Sequence, residues 1–278
     1  MSTLIVPAPA KLNLYLHVTG RRGDGLHLLE TLFAALDYGD SIAIARRDDG
    51  AIRRAGGWHE IPEEADLAVR AAHALKAATG CRAGVDIAVT KRIPVGGGLG
   101  GGSSDAASVL LALNRLWGLG LSRERLMEIG LSLGADVPFF VLGSPAFASG
   151  VGEILRPVTL PPMWVAVIAP AVSVPTSGIF GAPELTRDTP SAKMDVFSEG
   201  YGRNDLQSVA TVRHPEIGAA LAELRKHSRH ARMTGSGSAV FASFATGELA
   251  RRAVMARPPD MRGFVARTLT RHPLAAFA

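Results

Sequence analysis

The chain has 278 residues, 47% of them apolar, and a formal net charge of +5, enough to fill a sizeable core in one large or two modest domains and to exclude disorder. Its one cysteine, Cys81, excludes an internal disulfide and a thiolate zinc cluster and reads as a small buried hydrophobe. The positive charge lies in scattered arginines, not in a basic run interleaved with aromatics, which fits anionic small molecules at least as readily as nucleic acid.

Residues 1–10 lack a basic segment and carry two prolines, so no secretory signal is expected, and no apolar run reaches membrane-spanning length. A cytoplasmic protein without a membrane partner is the expectation. Residues 11–18 alternate as a strand, with Leu12, Leu14, Leu16 and Val18 on the core face and Lys11, Asn13, Tyr15 and His17 on the other. Asp24-Gly25 signals a hairpin, and a strand over 41–46 follows a turn at Tyr38-Gly39-Asp40. Helical spacing covers 65–79 and stops at Gly80; a strand at 85–90 then feeds the most informative segment of the chain.

That segment, Pro94-Val95-Gly96-Gly97-Gly98-Leu99-Gly100-Gly101-Gly102-Ser103-Ser104, packs six glycines and two serines between a strand and a helix. Backbone N–H groups freed of side chains, together with the unpaired N–H groups of a helix start, form a cradle for phosphate. Three readings compete. Gly96-x-Gly98-x-x-Gly101 matches a dinucleotide fingerprint, but a second helical run (122–133) stands where its next strand should be. Gly97-x-x-x-x-Gly102 matches a Walker loop, but Ser103 replaces the lysine. The third is a lysine-free cradle relying on backbone, hydroxyls and metal. A flexible linker would not usually run straight into a capped apolar helix. Ser103 or Ser104 is the expected cap, Asp105 suits the helix dipole, and Val109, Leu110, Leu113, Leu116 and Trp117 form the apolar stripe.

Downstream, Gly134-Ala135-Asp136-Val137-Pro138 reads as a helix restart, and the proline-rich step 156–162 as a domain boundary. A strand at 164–168 and a helix at 215–227 follow. A second glycine loop, Met233-Thr234-Gly235-Ser236-Gly237-Ser238, leads into a strand at 239–244, a helix at 246–257 and a strand at 263–270. Without regular βα alternation, α+β is the expected class.

These blocks, in this order, resemble the GHMP small-molecule kinases. That resemblance rests on the lysine strand near the start, the loop at 94–105 and the Gly-Ser-Gly loop at 235–237. A closer match within the superfamily rests on P-A-K-L-N-L at 9–14 and G-x-H at 25–27, supported by L-D-Y-G-D at 36–40, G-G-G-L-G-G-G-S-S at 96–104, L-G-A-D-V-P at 133–138 and G-V-G-E at 150–153. The resemblance implies an N-terminal domain related to the ribosomal-protein-S5-like fold (1–157) and a ferredoxin-like C-terminal domain (158–278). It also implies ATP with Mg²⁺, metal ligands unspecified. Within the superfamily the chain looks most like enzymes that phosphorylate the 2-hydroxyl of a cytidylated methylerythritol in non-mevalonate isoprenoid synthesis.

The same resemblance makes Lys11 and Asp136 the catalytic pair, although local sequence alone reads them as a solvated lysine and a helix N-cap. It gives residues 94–104 to ATP, and Asn13, His27, Thr176 and Phe180 to the acceptor, with Phe180 stacking on the base. Leu26 replaces the family's usual tyrosine, so one wall of the base sandwich becomes aliphatic. Lys91 could reach the nucleotide, and Gly235 and Gly237 would approach it through backbone. Three rivals stay open: a kinase for homoserine or mevalonate, an RNA-binding module and a non-catalytic nucleotide sensor. The oligomeric state is not encoded legibly.

Overall fold

Two long strands organise the molecule, whose computed structural model describes residues 3–57, 61–191 and 201–278. β1 (Leu4–Arg21) and β2 (His27–Arg47) pair antiparallel, joined by the expected hairpin, in which Arg22 N donates to Leu26 O at 2.7 Å. β2 continues through residues 38–40, where the sequence reads as a turn. Gly39 is there for a different reason: a Cβ would lie 2.3 Å from the Ala8 carbonyl of β1.

The chain continues through β3 (Ile52–Gly57), α1 (Leu67–Thr79), β4 (Gly84–Thr90), α2 (Gly101–Leu116), α3 (Arg123–Leu131), α4 (Val137–Leu142), β5 (Ala146–Ser149) and β6 (Ile154–Pro157). β1 lies along one side of β2, while β4 and β5 share its other side. β3 extends the sheet parallel to β4, and β6 extends it antiparallel to β5. A second, antiparallel sheet in the order β10-β7-β9-β8 is built from β7 (Trp164–Ala169), β8 (Arg232–Met233), β9 (Val240–Phe244) and β10 (Arg262–Arg267). It carries α5 (Thr176–Phe180), α6 (Gln207–Arg213), α7 (Pro215–Arg225) and α8 (Gly247–Met255). The class is α+β, as expected.

Local signals set several helix ends. Gly80 closes α1 at φ +68°, as the sequence predicts; the helix starts at Leu67, not at 65, because Asp66 caps it by accepting from Ala68 N. α2 departs from expectation: it starts at Gly101, two residues before Ser103, and its N-cap Gly100 provides no side-chain bond. The helix is also more than a striped one, because every residue from Ser104 to Asn114 is buried. α2 is the central rod of a core between the larger sheet and α1, α3 and α4.

A second core joins the outer helices to the smaller sheet and takes in Leu16 and Val18 of β1. A third fills the space between the sheets, where Leu12, Leu14, Leu32 and Leu36 meet Val165, Val167 and Phe241. Each leucine fully buried this way stabilises the fold by about 1.5–3 kcal/mol. Consequently β1 is covered on both faces. Lys11, Asn13, Tyr15 and His17, expected on an outer face, are all buried.

Candidate active site

Residues 94–102 pass over the start of α2 and are fixed by three backbone contacts. Lys11 N donates to Leu99 O at 2.9 Å, Ala239 N donates to Gly97 O at 3.1 Å, and the second glycine loop lies against Gly98. At Gly98 (φ +73°) a Cβ would meet Thr234 O at 2.5 Å; at Gly235 (φ +56°) one would meet Gly98 O at 2.8 Å. The two loops therefore pack backbone to backbone. Gly100 (φ +73°) has no more room, since a Cβ would touch Lys11 Cγ at 2.9 Å and the Phe140 ring at 3.1 Å.

Beside this loop lies a cavity of about 530 Å³, with Arg54, Leu67, Val89 and Ile93 on its walls and residues 94–103 along its floor. Its volume suits one nucleotide-sized ligand. The first turn of α2 presents N–H groups without helical partners to that space. Ser103 lines the cavity; Ser104 does not, and its hydroxyl is fully buried without a hydrogen-bond partner. Val95 is exposed at the rim.

Lys91 is bound to the protein itself: its ammonium bridges Asp40 and, at 2.7 Å, Asp105. Burial pulls the Lys91 pKa down, but the two carboxylates outweigh it and the net direction is up. Burial, reinforced by Asp40 against the pull of Lys91, pushes the Asp105 carboxyl up to about 7. Asp105 thus serves this ion cluster rather than the dipole: α2 starts at Gly101, which leaves Asp105 beyond the first turn, where no acidic residue stands. Asp40 also accepts from Arg92 N and Ile93 N, which fixes where the glycine loop departs from β4.

Lys11 and Asp136, 125 positions apart in sequence, meet next to Gly100, with Nζ 3.2 Å from Oδ2. The lysine side chain is 4% exposed and the aspartate 32%, so the carboxylate faces an accessible space with a buried cation behind it. Lys11 Nζ also donates to Asn13 Oδ1 at 2.5 Å and lies 5.2 Å from the Phe33 ring centre. Asn13 Nδ2 in turn donates to Thr31 Oγ1 at 2.8 Å, and its backbone N–H to Thr234 Oγ1 at 2.8 Å. Asn13 therefore positions Lys11. Although Asp136 stands at the N-cap of α4, its side chain makes no capping bond. A half-exposed carboxylate against a fixed ammonium can orient a hydroxyl and take its proton.

At the start of β2, His27 forms a ring pair with Phe180, the last residue of α5, with centroids 5.0 Å apart and an interplanar angle of 35°. Thr176, at the other end of the short α5, lines the same cavity as residues 94–103 and shares a 2.9 Å hydrogen bond with Ser236 of the second glycine loop. α5 thus links the cavity to the ring pair. Leu26, 50% exposed, stands beside His27 in the hairpin turn. Sequence reasoning missed Arg187, whose Nε donates to His27 Nε2 at 3.0 Å; a lone arginine 160 positions away gives no local signal. It also missed Thr31 and Asn204, the latter donating to the Met233 and Gly235 carbonyls and so holding the second loop.

Models of known families match both halves: the GHMP kinases N terminal domain over residues 66–144 and the GHMP kinases C terminal domain over 186–257. A 4-diphosphocytidyl-2-C-methyl-D-erythritol kinase from Cupriavidus necator is 55% identical over 277 residues, covering 98% of this chain and 95% of its own. A crystal structure of 4-(cytidine 5'-diphospho)-2C-methyl-D-erythritol kinase superposes with a TM-score of 0.84 at 37% identity, over 95% of this chain and 99% of the other. Homoserine kinase from Cytophaga hutchinsonii shares the fold, with a TM-score of 0.72 at 17% identity over 98% and 96% of the two chains. Identity this high over nearly the whole length assigns both halves to one group: the chain belongs to the 4-diphosphocytidyl-2-C-methyl-D-erythritol kinase family of the GHMP kinases.

Proposed function

We propose that this protein transfers the γ-phosphoryl group of ATP to the 2-hydroxyl of 4-diphosphocytidyl-2-C-methyl-D-erythritol, in the non-mevalonate route to isoprenoid precursors. The observation that carries the reading is the Lys11–Asp136 pair standing beside a glycine cradle whose own loop, residues 94–104, contains no lysine. Phosphoryl transfer requires positioning and charge neutralisation more than covalent chemistry. Residues 94–103 hold the phosphates through backbone N–H groups and the α2 dipole, with Ser103 adding a hydroxyl. Asp136 orients the acceptor hydroxyl and takes its proton. Lys11 pairs with that carboxylate and faces the transferring group, held there by Asn13. His27 and Phe180 receive the cytosine, with Leu26 adding an aliphatic surface; Thr176 belongs to the junction between nucleotide and acceptor.

Magnesium is the counter-ion we assign to ATP, with most of its ligands supplied by phosphate and water. Asp105, whose Oδ1 is buried without a partner, and Ser103 fit it as hard oxygen donors; among the described residues no cluster of three His, Cys, Asp or Glu offers a cage. When bound, the ion spreads the charge that builds on the phosphoryl oxygens. No helix among the described residues is long and apolar enough to cross a membrane. We read the enzyme as cytoplasmic, working on small molecules without nucleic acid, with residues 1–157 and 158–278 as its domains.

The test is ADP release with ATP-Mg²⁺ and four acceptors: the cytidylated methylerythritol, methylerythritol phosphate, homoserine and mevalonate. Turnover restricted to the cytidylated acceptor is expected. Turnover of another acceptor alone would overturn the pocket assignment, and no turnover with any of them would remove the kinase reading.

A further inference from the structure

Arg187 makes an unusual set of contacts for a residue outside every helix and strand. Its Nε donates to His27 Nε2 at 3.0 Å, its Nη2 to Phe180 O at 3.1 Å and Ala182 O at 2.6 Å, and its Nη1 to Leu185 O at 2.9 Å. One guanidinium therefore fixes both members of the His27–Phe180 ring pair, the imidazole by its edge and the phenyl through its backbone. We propose that Arg187 locks His27 in the tautomer that carries its proton on Nδ1, turning the imidazole into a fixed donor that selects cytosine over uracil.

The argument begins with hydrogen-bond polarity. A guanidinium has only donors and does not lose its proton in proteins, so the His27 nitrogen it faces must offer a lone pair. In a neutral imidazole the single proton then lies on Nδ1. Burial first, then the positive charges of Arg187 and Arg21, lower the His27 pKa and favour that neutral ring. An Nδ1–H donor matches the unprotonated N3 of cytosine and opposes the N3–H of uracil. The carbonyl bonds give the lock its stiffness, since an arginine tied to four backbone oxygens, those of Phe180, Ala182, Pro183 and Leu185, cannot swing away to release the ring. Lysine cannot replace it, because one ammonium on a flexible stem lacks the planar fork that reaches His27 and the carbonyls together.

This inference rests on the cytosine reading above, and the experiment separates the two. In ¹⁵N-labelled protein the His27 side-chain signals, assigned by their loss in His27→Asn, are expected to show protonated Nδ1 and unprotonated Nε2. The opposite tautomer in the unaltered protein would overturn the lock with no variant needed. In Arg187→Lys and Arg187→Gln, KM for the cytidylated acceptor should rise about tenfold or more, while KM for ATP stays unchanged. Preference for the cytidylated over the uridylated acceptor, expected to be about a hundredfold or more in the unaltered enzyme, should narrow to within about tenfold. A folded variant that retains both the KM and the preference would overturn the proposal. Lack of turnover by the unaltered enzyme would instead sink the functional reading, with the tautomer measurement still deciding the lock.

Discussion

The Asp136 carboxylate has two physical options at the start of a six-residue helix: bond to the free N–H groups of α4 or turn away from them. It turns away, toward the Lys11 ammonium 3.2 Å distant, and leaves the cap unmade. A capping bond of this kind contributes about 1 kcal/mol, so forgoing it implies a compensating use. Asparagine caps as well as aspartate but cannot accept a proton from a hydroxyl. Asp136→Asn should therefore lower kcat by about 10²–10⁴-fold, the span of general base catalysis, while melting temperature and ATP affinity hold. Calorimetry and nucleotide titration alongside steady-state rates would check this. A variant that kept its turnover would return Asp136 to a purely local role.

At the scale of elements, the site is made where two glycine loops from different sheets press together without side chains. The demand on Gly98 is double: a positive φ and a Thr234 oxygen 2.5 Å from where a Cβ would lie. Gly118 provides the control, since it has φ +66° but nothing within 4 Å of its Cβ position. Gly98→Ala and Gly118→Ala should each lose about 1 kcal/mol or more to backbone strain. Only Gly98→Ala should also push the loops apart and weaken ATP binding, by about tenfold or more in direct titration. Equal nucleotide affinities in the two variants would show that the loop contact does not shape the cradle.

Much of this arrangement was legible in the chain. The glycine run, the Gly80 end of α1 and the interruption at residues 134–138 are local signals that the fold keeps. The burial of Lys11, Asn13 and His17 was not, because alternation shows that a strand has two faces but not that a second sheet covers the outer one. The first half of β2 escaped notice for a related reason. Glu30, Asp37, Gly39 and Asp40 break its apolar pattern, yet Asp40 turns inward to Lys91 and Gly39 lets β1 approach. Ser103 lost the cap because the helix begins where Lys11 and the Phe140 ring close in on Gly100, a tertiary constraint. Arg187 reaches His27 through folding alone.

For the whole molecule, the division we propose at residues 157/158 is crossed in both directions. β1 sends Leu16 and Val18 into the C-terminal core, and the chain end returns Leu274 to the N-terminal one. That return is held by Leu269 N to Ala35 O at 2.8 Å, His272 N to Gly143 O at 2.8 Å, and Arg123 Nη2 to Ala275 O at 2.6 Å. His272 is the buried titratable group in the clasp: Nδ1 accepts from Leu274 N at 3.0 Å, and Nε2 is buried without a partner. Burial first, then Arg123, lowers its pKa to about 4, against 6.5 for an ordinary histidine. Between those values the unfolded chain binds a proton that the folded chain refuses, so unfolding becomes progressively more favourable as pH falls from about 6.5 to about 4. A gap of this size corresponds to about 3 kcal/mol of stability present above pH 6.5 and gone near pH 4. His272→Asn keeps an acceptor at the Nδ1 position for Leu274 N and removes the titration. Urea unfolding across that range should show the acid decline in the unaltered protein and a flatter one in the variant. An unchanged acid slope in the variant would mean that His272 does not control how the chain end leaves the N-terminal core.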